Sequence, residues 1–137
     1  MYKKNFANNK MFNACKTIAI VPARDGSKGY SGKNFKKFNE KPLFLHAIDQ
    51  GLRTCDCCIF SSDNEDALFQ ASKIDRVFAH KRIASLAADD SPMDDTLLDI
   101  VEHYNLKAKT LVLLQPTSPL RLDASIKKAL DTFEEHS

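Results

Sequence analysis

The sequence predicts an α/β fold, a Rossmann-like parallel sheet with helices on both faces. Three observations carry that prediction. Short apolar runs alternate with amphipathic segments along the chain, as they do when strands and crossover helices take turns. Runs such as Leu111-Val112-Leu113-Leu114 are apolar without a polar alternation, which marks strands covered on both faces. A basic, glycine-containing stretch, Arg24-Asp25-Gly26-Ser27-Lys28-Gly29 with Gly32-Lys33-Asn34, follows the apolar run Thr17-Ile18-Ala19-Ile20-Val21 and its exit at Pro22. Open α/β sheets gather ligands at such strand exits.

Each element has its own signal. Residues 1–14 are rich in Lys and Asn without apolar period and read as a flexible tail, with Met11 a second candidate start. Residues 15–137 then form one α/β domain. Strands are expected at 17–22, 57–62, 76–79 and 110–115, and helices at 43–53, 64–74, 92–105 and 122–135. Pro42 suits the first turn of the first helix, whose face is Phe44, Ile48 and Leu52. Ser62 and Glu65 have capping-box spacing ahead of the stripe Ala67, Leu68 and Ala71. Ser91-Pro92 with Asp94 opens the third helix, and Leu97, Ile100, Val101 and Tyr104 continue its apolar side. Asp123 can cap the last helix, with Ile126, Ala129, Leu130 and Phe133 facing inward. The loops that start at Arg24, Ser62 and Gln115 all leave carboxyl ends of strands, so they can converge on one crevice.

Composition narrows the function classes. With 137 residues, 43% hydrophobic and 28% charged, the chain is of single-domain size and can bury a real core. A net charge of +2 argues for neither nucleic acid nor a membrane surface. No apolar run reaches transmembrane length and no signal-peptide pattern follows the first lysines, so the expected location is cytoplasmic. The four cysteines, Cys15, Cys55, Cys57 and Cys58, lack two matched pairs at zinc-finger spacing and read as reduced, small apolar residues. Cys15 and Cys57 each stand near the start of a strand and can be neighbours in a parallel sheet. Asp89, Asp90, Asp94 and Asp95 suit the start of a helix, where acids favour the dipole, so no metal site is assigned to them. The histidines at 46, 80, 103 and 136 share no spacing, and none reads as a base.

The basic loop is the chemical signal. Glycines let backbone approach a ligand closely, while Arg24, Lys28 and Lys33 supply charge for an anion, polyphosphate above all. It is not a Walker loop, because five residues separate Gly26 from Gly32 and Asn34 follows Lys33. Nor does G-x-x-G-x-x-G match the dinucleotide fingerprint. From the residues alone it is an anion-binding loop or an ordinary surface loop.

The longer string decides between those. Ile20-Val21-Pro22-Ala23-Arg24-Asp25-Gly26-Ser27-Lys28-Gly29, with Lys33-Asn34 and Lys41-Pro42-Leu43, closely resembles the opening of the acylneuraminate cytidylyltransferases, the CMP-sialic acid synthetases. Ser61-Ser62-Asp63-Asn64-Glu65, then Arg82 before Leu86-Ala87, then Leu113-Leu114-Gln115-Pro116-Thr117-Ser118-Pro119-Leu120-Arg121 follow in family order. The related CMP-Kdo synthetases are less similar, since they carry Arg where Lys28 stands and lack the Pro-Thr-Ser-Pro-Leu-Arg string. The resemblance covers residues 17 to 135 and implies a nucleotidyltransferase-type fold.

It also implies a reaction. CMP passes from CTP to a sialic acid or related nonulosonic acid, and pyrophosphate is released. Arg24 and Lys28 match positions that hold the reacting triphosphate and are the catalytic candidates. Ser27 and Gly29 shape the loop, and Lys33, Asn34, Arg82 and Gln115 match further nucleotide-binding positions. The backbone around Ser91 matches the position that reads cytosine. Such chemistry rests on alignment and charge neutralisation.

The departures are specific. Asp25 stands where Gly or an amide is usual, Ser31-Gly32 replaces a Pro-containing pair, and Glu40 occupies the place of a glycine before Lys-Pro-Leu. Family members continue for nearly as many residues again, with the sugar contacts, an element for homodimerisation and an acidic pair that holds Mg²⁺. The chain is therefore expected to be the nucleotide-binding half, with Mg²⁺ ligands beyond Ser137. The alternative from a different class is a non-catalytic nucleotide- or phosphate-binding module, or a subunit completed by a partner chain.

Overall fold

A computed structural model describes residues 14–23, 37–38, 40–81, 93–104, 106, 109–116 and 122–135. Thr17–Ala23 forms β1, apolar on both faces and buried along almost its whole length. A short antiparallel pair follows, β2 (Lys37–Phe38) with β3 (Lys41–Pro42). Then come α1 (Leu43–Thr54), β4 (Cys57–Ser62), α2 (Glu65–Ser72) and β5 (Val77–Lys81). The chain continues with α3 (Met93–Tyr104), β6 (Thr110–Leu113) and α4 (Asp123–Glu135). Every predicted strand and helix is present, with ends shifted by a residue or two. The β2–β3 hairpin is an addition, and its strands are too short for any periodicity to announce them.

The main sheet has the order β5-β4-β1-β6, and each pairing is parallel. Side chains of alternate residues feed two cores. Ala19, Val21 and Ala23 of β1 join Cys58 and Phe60 of β4 under α1, α2 and Ile126 of α4. Ile18, Ile20, Cys57, Ile59 and Phe78 face the other way, against Ile100 and Tyr104 of α3. Helices thus cover both faces, and this two-sided burial is why β1 and β4 read as unbroken apolar runs. The Phe44 and Phe60 rings meet at 5.0 Å between centroids and 31° between planes, contributing about 1 kcal/mol beyond area burial. Cys15 lies beside Cys57 in the α3-side core, and Cys55 and Cys58 lie in the other. Burial pushes the Cys57 and Cys58 thiols upward, so both stay protonated and chemically quiet.

Several local expectations are corrected. The cap of α2 is Asn64, whose side chain accepts from the Ala67 N–H at 2.9 Å, whereas Ser62 is still in the strand. Pro42 precedes α1 in an extended conformation with ψ 145°, since it also closes the small hairpin. Asp123 turns its carboxylate to α1, accepting from Gln50 Nε2 at 2.9 Å and Arg53 Nε at 2.6 Å. These bonds, Arg53 first, hold the Asp123 carboxyl below the usual range. Strand β6, read as covered on both faces, is only partly buried along its length and ends in an exposed Leu113. It is an outer strand of the sheet, so only β1 pairs with it among the described residues. Ala129 is likewise exposed, and the Phe133 side chain lies outside the described ones.

Candidate functional site

Parallel pairing brings strand exits together. Ala23, the last residue of β1, is level with Ser62, the last of β4, and Ser62 is level with Lys81, the last of β5. On the other flank Leu113 pairs with Ile20, and the Leu114 N–H donates to the Ile20 carbonyl at 2.9 Å. Gln115 is the next residue, exposed and heading for the same carboxyl edge. Strand order reverses here: the chain moves outward from β1 through β4 to β5, then returns to the far side of β1 as β6. Ligands of open α/β sheets settle where such a reversal leaves a crevice at the carboxyl edge.

Of the residues singled out from sequence, Gln115 is described, and it stands beside the exit of β1. Arg24, Ser27, Lys28, Gly29, Lys33, Asn34, Arg82 and Ser91 lie outside the described residues. So do Asp89 and Asp90, and the side chains of Asp94 and Asp95. Their flanking anchors are placed: Ala23 directly before Arg24, and Lys81 directly before Arg82, both on the carboxyl edge.

Ser62 fastens that edge. Its wholly buried hydroxyl donates to the Ala23 carbonyl at 2.6 Å and accepts from the Asn64 N–H at 3.0 Å. The side chain therefore ties the last residue of β1 to the start of α2. Sequence spacing suggested a helix cap for Ser62; its use is to fix the root of the basic loop.

Beneath the edge, on the α3 side, lies a polar group that sequence reading missed. His80 is 6% exposed, with Nδ1 at 3.1 Å from Ser61 Oγ and Nε2 at 3.1 Å from Asp99 Oδ2. The His103 and Tyr104 rings pack at 5.6 and 5.8 Å from the His80 ring. Burial first, then Asp99, pushes the Tyr104 phenol up to about 12. The available signal was period two on β5, which places His80 on the face of Phe78, together with the four-residue step from Asp99 to His103 on α3.

Among the described residues, Lys81 Nζ meets Glu65 on the surface, and Lys41 Nζ meets Asp49 near the start of α1. Among the described residues, no group of three or more His, Cys, Asp or Glu side chains is gathered to hold a metal ion. A groove of about 620 Å³ runs between β6 and α4, walled by Leu111, Val112, Leu113, Leu114, Ile126 and Leu130. Lys109, Thr110 and Ser125 also line it, but most of the wall is apolar and suits apolar groups. No helix among the described residues is long and apolar enough to cross a membrane.

Residues 18–137 match the family model described as cytidylyltransferase. The chain is 34% identical over 126 residues to the N-acylneuraminate cytidylyltransferase of Streptococcus agalactiae serotype V, covering 88% of this chain and 30% of that protein. It is 31% identical over 119 residues to the CMP-N,N'-diacetyllegionaminic acid synthase of Legionella pneumophila, covering 83% of this chain and 51% of that protein. A structure of CMP:2-keto-3-deoxy-manno-octonic acid synthetase complexed with CTP superposes with a TM-score of 0.71 at 18% identity. It covers 88% of this chain and 48% of its own. The chain thus spans between about a third and half of the length of these relatives.

Proposed function

The chain belongs to the cytidylyltransferase family, and from that premise we propose that it carries the CTP-binding site of an enzyme making CMP-linked nonulosonic acids. The supporting observation is the adjacency of the β1 and β6 exits at the carboxyl edge, where the basic loop and Gln115 depart. The two curated relatives named above act, by their names, on acylneuraminate and on N,N'-diacetyllegionaminic acid, both sugar acids.

In this reading the hydroxyl oxygen of the sugar acid attacks the α-phosphorus of CTP and gives up its proton to solvent. The bond to the bridging oxygen breaks, and pyrophosphate leaves. Arg24 and Lys28 hold the triphosphate and neutralise the charge that grows on the leaving group, the term that dominates phosphoryl transfer. Ser27 and Gly29 let the backbone close on the phosphates, and Lys33, Asn34, Arg82 and Gln115 complete the nucleotide contacts. Backbone at Ser91 reads the base. A divalent cation, Mg²⁺ by family resemblance, would offset further phosphate charge. The described residues gather no donor set for it, so no step here passes through one.

The test is an assay with CTP, Mg²⁺ and N-acetylneuraminic acid, following CMP-sugar and pyrophosphate. Product formation supports the transferase reading. CTP binding without product fits the nucleotide-binding half of the transferase and the second reading alike, a nucleotide-binding module or a subunit completed by a partner chain. No binding of CTP contradicts both.

A further inference from the structure

We propose that His80 is a positioning residue of the nucleotide site, fixing α3 against the carboxyl edge of the sheet through Asp99. The proposal rests on the cytidylyltransferase reading. Much of the α3 interface is apolar, built from Ile18, Ile20, Ile59, Phe78 and Ile100. Apolar contact is non-directional and leaves a helix free to slide or turn by small amounts. The imidazole adds direction. Nε2 meets the Asp99 carboxylate and Nδ1 meets the Ser61 hydroxyl, so the ring is fixed at both ends.

The direction of α3 gives this clamp its functional meaning. Strand β5 ends at the carboxyl edge, and β6 begins at the opposite one, where the Thr110 N–H donates to the Lys16 carbonyl. Helix α3 therefore runs back from the carboxyl edge, and its first turn at Met93 stands there. A contact at Asp99 sets the height of that first turn, and Ser91, whose backbone the proposed function assigns to the base, stands two residues before it in sequence. Ser61, His80 and Asp99 have the composition of a hydrolytic triad, but Ser61 is wholly buried, so no substrate carbonyl can reach its Oγ. Their arrangement suits holding, not attack.

The test uses the whole chain. His80→Phe keeps the ring volume and removes both bonds, Asp99→Leu removes the acceptor, and His80→Gln restores a donor and an acceptor. Calorimetric Kd values for CTP and for ATP are measured beside the melting temperature. Loss of placement at a site tuned to sub-ångström geometry should weaken CTP binding about tenfold and narrow its preference over ATP. Asp99→Leu should do the same, the double variant should lose no more than either, and His80→Gln should recover most of the affinity. A folded His80→Phe chain that binds CTP like the wild type overturns the positioning role and leaves the functional reading standing. A wild-type chain that shows no preference for CTP overturns both. Should His80→Phe not fold, Asp99→Ala, at a position 30% exposed, removes the contact and carries the same comparison.

Discussion

Glu40 holds a backbone φ of 65° at the turn between β2 and β3, a conformation that L-residues other than Asn and Asp adopt reluctantly. This explains why a glycine is usual before Lys-Pro-Leu in the family that the sequence resembles. Glu40→Gly is therefore expected to stabilise the chain by about 1 kcal/mol, roughly 3 °C in melting temperature. Arg76, with φ 64°, is the control. Its guanidinium donates to the Asp56 carbonyl at 3.1 Å and the Leu52 carbonyl at 3.2 Å, so Arg76→Gly relieves strain but loses two bonds. That variant should melt close to the wild type. Lys28 makes a different case: if it serves phosphate and not the fold, Lys28→Ala should weaken CTP binding about tenfold with an unchanged melting temperature. Loss of stability with intact binding would point to an ordinary surface lysine.

At the scale of elements, α1 lies unusually close to the sheet. A methyl group added at Gly51 would stand 2.7 Å from the Ala19 Cβ, with Leu114 and Cys58 next nearest. Alanine in a helix interior normally gains about 1 kcal/mol over glycine. Here β1 cannot retreat, being paired on both sides, so Gly51→Ala should destabilise by about 1–3 kcal/mol in chemical denaturation. Helix α3 carries a pH signature. Burial raises the Tyr104 phenol from an ordinary 10 to about 12. A raised folded pKa stabilises while the group keeps its proton, so this contribution is complete below pH 10 and lost as pH rises through 12. Stability should fall between those values, and Tyr104→Phe should remove much of that fall. What sequence could reveal at this scale follows from physics. Helices and strands were legible because apolar period and two-sided burial are written locally. The exposure of Leu113 and Ala129 was not, because it depends on which strand lies at the edge of the sheet. The latch at Ser62 and the His80–Asp99 contact were not legible either, since each joins residues far apart in the chain.

For the molecule as a whole, the order β5-β4-β1-β6 makes the carboxyl edge beside β1 the place for a ligand. The candidate site residues were proposed from the sequence through the family resemblance, and of these Gln115 is described, beside that edge. The supports beneath them came only with the fold. In the proposed function this edge binds a cytidine triphosphate. Isothermal titration calorimetry with CTP, ATP and GTP on the purified chain measures this binding. CTP is expected to bind at one site, more tightly than either purine nucleotide by about tenfold or more. Equal affinity for all three, or no measurable heat with any, would contradict it.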